Sequence, residues 1–79
     1  MEIKSVLSEE LSLNPHILME QLVKIEAIHS HIVELKREAM ITGGKEKGLL
    51  SDYQKVLEKK LSLGQSIMGY AKEEIKRSL

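Results

Sequence analysis

The chain has no cysteine, no tryptophan and no phenylalanine, only two tyrosines, and a single proline in 79 residues. Without cysteine there is no disulfide, no thiolate chemistry and no cysteine-based zinc site, and the composition says nothing of redox compartment in either direction. The shortage of aromatics removes the platforms on which single-stranded nucleic acid stacks. Neither sign of charge is in excess, since 12 basic residues balance 12 acidic ones; no net field draws the chain to nucleic acid or to an anionic membrane, and neither is expected as a partner. No apolar run exceeds three residues, and Met1-Glu2-Ile3-Lys4 is not a basic-then-apolar leader. A membrane span and a signal peptide are therefore not expected, and the sequence reads as that of a cytoplasmic protein. A chain this short builds one small domain with little room for a deep pocket, which argues against an enzyme.

What is present favours helix. Leu, Ile, Glu and Lys dominate, and Asn14-Pro15 is a helix start: Asn caps free amide groups, and Pro is tolerated where the N–H has no partner inside the helix. Leu18, Ile25, Ile32 and Ala39 then recur every seven residues, with Ile28 and Leu35 interleaved and Gln21 as the one polar exception on the seam. The pattern predicts a helix over residues 15–41, roughly 40 Å long. Residues 42–48, with Gly43 and Gly44 able to take the left-handed conformation that ends a helix, form the turn. Leu50, Tyr53, Leu57, Leu61, Gly64, Met68, Ala71 and Ile75 return at spacings of three and four, predicting a second helix over 49–77, with Ser51 and Gln54 as a candidate capping box. Residues 1–13 carry Ile3, Val6, Leu7, Leu11 and Leu13 and read as a short, weakly held helix or arm. The expected fold is all-α, an antiparallel hairpin of two long helices with a short N-terminal helix or arm, coiled-coil-like in its packing, in a single domain over 1–79.

This hairpin carries more apolar surface than two helices can hide. A second row on the second helix, Leu49, Val56, Leu63, Ile67 and Tyr70, is displaced from the inner stripe. The N-terminal segment, a second copy or a different protein must cover it, because so small a hairpin is marginal alone. These five residues are the candidate partner-binding site. Gly64 and Ala71, on the inner stripe, would allow a close approach of the facing helix, or Gly64 and Gly69 mark a mobile C-terminal half.

Other motifs have plainer explanations. His29 and His31 look like a metal pair, but residues two apart on a helix point about 200° from one another, so they read as surface or interface histidines and no metal or other cofactor is expected. Gly43-Gly44-Lys45 lacks the spacing of a phosphate loop and follows a helix rather than a strand. Lys55, Glu58, Lys59 and Lys60, with Lys72, Glu73, Glu74, Lys76 and Arg77, mix signs as solvated helix faces do. No nucleophile, base and stabiliser converge, so no catalytic residue is assigned.

The order of local signatures is more informative than composition. Leu35-Lys36-Arg37-Glu38-Ala39-Met40, then Gly43-Gly44, Tyr53-Gln54, Ile67-Met68-Gly69-Tyr70 and Ile75-Lys76 together resemble the YscE-like small co-chaperones of type III secretion needle subunits. The likeness spans residues 22–76; departures are a longer turn between Gly44 and Tyr53 and the thirteen residues before Asn14. The resemblance implies a cytosolic, non-enzymatic virulence factor that pairs with a helical-repeat, TPR-like chaperone and, through it, keeps a needle subunit monomeric until secretion. It also implies that the apolar row meets the repeat chaperone rather than the needle subunit. Two rival readings stand beside it. Leu49-Leu50-Ser51-Asp52-Tyr53-Gln54 before a long helix is similar also to needle and inner-rod subunits of the same apparatus, and the second row could instead pack on its twin in a homodimeric helical adaptor unrelated to secretion, or in a homodimer formed when the chain is alone.

Overall fold

The computed structural model describes residues 3–78. The fold is all-α: a short α1 (Ile3–Ser8), then two long antiparallel helices, α2 (Pro15–Thr42) and α3 (Lys47–Ser78), packed along their length. Residues 1 and 2 of the expected arm lie outside the described residues, as does Leu79. The molecule is a rod of 55 × 18 × 15 Å, most of whose length is spanned by the 32 residues of α3, about 48 Å at a rise of about 1.5 Å per residue.

Each end of α2 follows from local chemistry. Asn14, in an extended conformation, uses its side-chain oxygen to accept from the amides of His16 (3.0 Å) and Ile17 (3.4 Å), two of the donors that the first turn leaves free. Pro15 occupies the first helical position. At the other end Gly43 takes φ 72°, and the Gly44 amide donates to the Ala39 carbonyl at 2.8 Å, closing the last turn. A side chain at Gly43 would meet no neighbour but would be strained by that backbone conformation. Gly43→Ala is therefore expected to destabilise the hairpin by about 1 kcal/mol. Gly69, in the interior of α3 with open space where a Cβ would stand, is the opposite case: Gly69→Ala is expected to stabilise by ~0.5–1 kcal/mol through helix propensity alone. Urea denaturation followed by circular dichroism checks both signs.

α3 begins at Lys47, two residues before the expected 49 and well before the Ser51 cap. The Leu50 amide already bonds the Glu46 carbonyl at 2.9 Å, so the helical ladder is running by Ser51 and no capping box forms there. Gln54 is put to another use: its oxygen accepts from Lys36 Nζ (3.2 Å) across the hairpin, and its nitrogen donates to Glu58 on its own helix (3.3 Å).

The seam is formed by the heptad positions. Leu18, Ile25, Ile28, Ile32 and Ala39 of α2 are buried, facing Leu57, Gly64 and Met68 of α3, with Leu18, Ile32 and Leu57 fully enclosed. Cross-pairs such as Leu22 with Gly64, His29 with Glu58 and Lys36 with Gln54 fix the antiparallel register. The close approach anticipated at Gly64 is to a side chain: a Cβ there would overlap one methyl group of Leu22. The central cluster is not built by two helices alone. Val6 of α1 is buried with Ile25, Ile28, Ile32 and Leu57, and Ile3, Leu7 and Leu11 pack against the same cluster beside Leu50, Tyr53 and Leu61. The arm thus completes the core.

Candidate functional site

Four of the five row residues lie seven apart on α3: Leu49, Val56, Leu63 and Tyr70. At that spacing an α-helix brings side chains back to nearly the same side, drifting by only about 20° each time. The four therefore form one stripe along the flank of α3, about 31 Å from end to end at the helical rise per residue. Their exposure is 54%, 38%, 56% and 71% respectively. These are apolar side chains left in water along more than half the length of the rod, the surplus apolar surface that the sequence pattern implied. The fifth, Ile67, is half-buried. With Leu63 and Lys60 it lines a hollow of ≈ 400 Å³ whose other wall is Leu7, Ser8, Glu9, Glu10 and Leu11. The arm therefore approaches the row at Ile67 and Leu63, half-burying Ile67, while Leu63 stays largely exposed and Leu49, Val56 and Tyr70 stand clear of that hollow.

Two residues that hold the arm have different histories in the sequence. Gln21, the polar exception on the α2 seam, accepts from the Ser12 amide at 2.9 Å and donates to the Glu10 carbonyl at 3.1 Å. Its position on an otherwise apolar face was the signal. Lys60 gives no such signal and groups in sequence with the solvated charges; in the structure it is half-buried and donates to the carbonyls of Val6 (2.9 Å) and Glu9. A lysine among lysines carries no mark of which one meets an unpaired carbonyl.

The histidines separate as their spacing requires. His29 sits against α3 with Nε2 3.2 Å from Glu58 Oε1, while His31 is exposed. Among the described residues no cluster of three or more His, Asp or Glu is placed to hold a metal ion, and no helix is long and apolar enough to cross a membrane. No buried side-chain polar atom among them lacks a hydrogen-bond partner. Gly43-Gly44-Lys45 is the helix terminus described above. A second hollow, ≈ 320 Å³, opens between α2 and α3 near the turn, with Leu35, Ala39 and Leu50 as its apolar lining and Glu38, Thr42 and Glu46 as its polar one.

Fold and site together define a small helical hairpin with a long exposed apolar stripe and an N-terminal arm laid beside it. No protein-family model, curated protein or solved structure matches this chain.

Proposed function

We propose that this chain is a cytoplasmic, non-catalytic co-chaperone of type III secretion, pairing with a helical-repeat chaperone so that the needle subunit stays soluble and monomeric until export. The observation that carries the reading is the stripe of Leu49, Val56, Leu63 and Tyr70, apolar and exposed along the flank of α3. Helical-repeat proteins offer extended concave surfaces built from helices, and an amphipathic helix laid into such a surface buries an apolar stripe of this kind. Because each partner would shield the other's exposed surface, binding stabilises both folded states by mass action. The order of signatures from Leu35 to Lys76 supports the assignment to the needle-chaperone class, and the small all-helical architecture is consistent with a binding role.

The test is reconstitution with three chains. Co-expressed with its repeat chaperone and the needle subunit, this protein is expected to keep the needle subunit in the soluble fraction as a 1:1:1 complex, and its omission to send needle subunit to the pellet. Needle subunit that stays monomeric without this chain would refute the proposal. Filaments growing from the chain alone would make it a needle or inner-rod subunit, since such subunits polymerise through open head-to-tail contacts.

A further inference from the structure

The apolar stripe of α3 has a charged flank. Three positions after each stripe residue, and so about 60° around the helix, stand Asp52, Lys59, Ser66 and Glu73. All four are exposed, and none of the three charged ones belongs to an ion pair among the described residues. From the turn toward the C-terminus the flank therefore reads negative, positive, neutral, negative. Charges along the rim of an apolar face restrict what can lie against it, because like charges brought together are costly and unlike ones set the register.

A second copy of the chain can be laid against this pattern and the fit read off. In a parallel pair, Lys59 would stand beside Lys60 of the second copy and Glu73 beside its Glu74, on both rims of the contact. In an antiparallel pair each flank meets its own counterpart, and three registers bring three or more rows of the stripe together. The register that uses all four rows sets Lys59 against Lys59 of the second copy. The one centred on Leu63 sets Asp52 against Glu73. The one centred on Val56 sets Asp52 against Lys59 twice, once to either side of the two-fold axis, with Val56 on its own counterpart and each Leu49 on Leu63. Only this last arrangement keeps like charges apart along the flank.

A feature away from the flank meets the same register. With Leu49 of the second copy on Leu63, the turn that precedes Leu49 comes level with Ile67. That turn presents Lys45 and Lys47, both exposed. At Ile67 lies the ≈ 400 Å³ hollow whose outer wall is the arm, with exposed Glu9 and Glu10 in it. Two lysines thus arrive beside two glutamates, and a turn arrives at a hollow whose lining forgoes close packing in the single chain. The arm keeps its place in the core and forms part of the contact.

We infer that the α3 stripe is the seat of a closed antiparallel homodimer of this chain, with Val56 on the two-fold axis, Leu49 packed on Leu63, and Asp52 paired with Lys59 across the contact. The apolar rows supply the attraction, and the rim charges choose the register. The inference does not rest on the function proposed above. A repeat protein that takes the stripe displaces the second copy, so the homodimer is the form the chain adopts while that partner is absent.

The test uses the full-length chain and sedimentation equilibrium. Wild type is expected to show a reversible monomer–dimer equilibrium that goes no further. Asp52→Lys and Lys59→Asp each set like charges together twice, and each is expected to weaken dimerisation at least tenfold. Mixed in equal amounts, the two variants are expected to pair at least tenfold more tightly than either does with itself, since one then carries two positive flank positions and the other two negative. Positions 52 and 59 are about 10 Å apart along one helix, so this rescue has no source within a single chain. All these positions are exposed, and circular dichroism verifies that the variants keep their helices. As a second readout in this cysteine-free chain, Val56→Cys is expected to be joined to its counterpart by a short bismaleimide, whereas Tyr70→Cys, about 42 Å from its own counterpart in this register, is not. A chain that stays monomeric at every concentration, assembly beyond two copies, charge variants that dimerise like wild type, a mixture that gains nothing, or cross-linking at position 70 as efficient as at 56 each overturns the inference. A homodimer that passes these tests but captures no repeat protein would leave this inference standing while the function proposed above fails, and a monomer that captures one would do the reverse.

Discussion

Leu57→Ala is expected to lower the unfolding free energy by about 3 kcal/mol, within the range for removing a fully enclosed leucine. Leu57 has no exposed surface and stands where all three helices meet, against Ile25, Ile28 and Ile32 of α2 and Val6 of α1. Truncation removes transfer free energy and leaves a cavity that neighbours on three separate helices cannot close together. A domain of this size has only about 3–5 kcal/mol to lose, so the variant should show a partly unfolded baseline at room temperature. Val23→Ala, on the solvent side of α2, should change stability by less than about 0.5 kcal/mol. Urea denaturation at matched concentration measures both. A loss below about 1 kcal/mol for Leu57→Ala would mean that the three-helix junction is not the centre of the core.

The second large effect concerns the stripe. Val56→Glu and Leu63→Glu are each expected to weaken binding to the proposed helical-repeat partner about 100-fold, or ~2.7 kcal/mol, because a carboxylate buried against an apolar partner without a counter-charge is strongly disfavoured. Both side chains are exposed in the free protein, so the same variants should melt within a few degrees of wild type. That separation between binding and folding is the diagnostic feature. Lys59→Ala, an exposed change on the same helix, serves as control and should leave affinity unchanged. Isothermal titration calorimetry with purified chaperone reads the constants. Undiminished binding of both glutamate variants would remove the stripe from the interface.

How much of this was legible in the sequence depends on the range of the interaction concerned. The seam was legible because burial against a neighbouring helix imposes a period: Leu18, Ile25, Ile32 and Ala39 have to recur on one side of α2, and all four are buried. Asn14-Pro15 and Gly43 were legible because caps are settled within a few residues. Ser51 misled for the same reason. Its spacing to Gln54 suits a capping box, but α3 is already under way at Lys47, and Gln54 is drawn to Lys36, eighteen positions earlier in the chain. The arm's docking was only half legible. Val6 and Leu7 announced an apolar segment, and Gln21 a polar need on an apolar face, but the bond from Lys60 to Val6 crosses more than fifty positions and leaves no periodic trace. The candidate row was legible as surplus apolar surface, while the division between Ile67, shared with the arm, and the four exposed residues required the fold.

The central claim is that the α3 stripe exists to meet a helical-repeat partner. It is tested most directly by co-expressing the tagged chain with the small open reading frames beside its gene, purifying it by the tag and weighing what remains bound by light scattering. The account predicts a discrete 1:1 heterodimer with a helical-repeat protein, lost in the Val56→Glu chain. A sharply melting homodimer that binds no repeat protein, with the stripe packed on its twin, would contradict it.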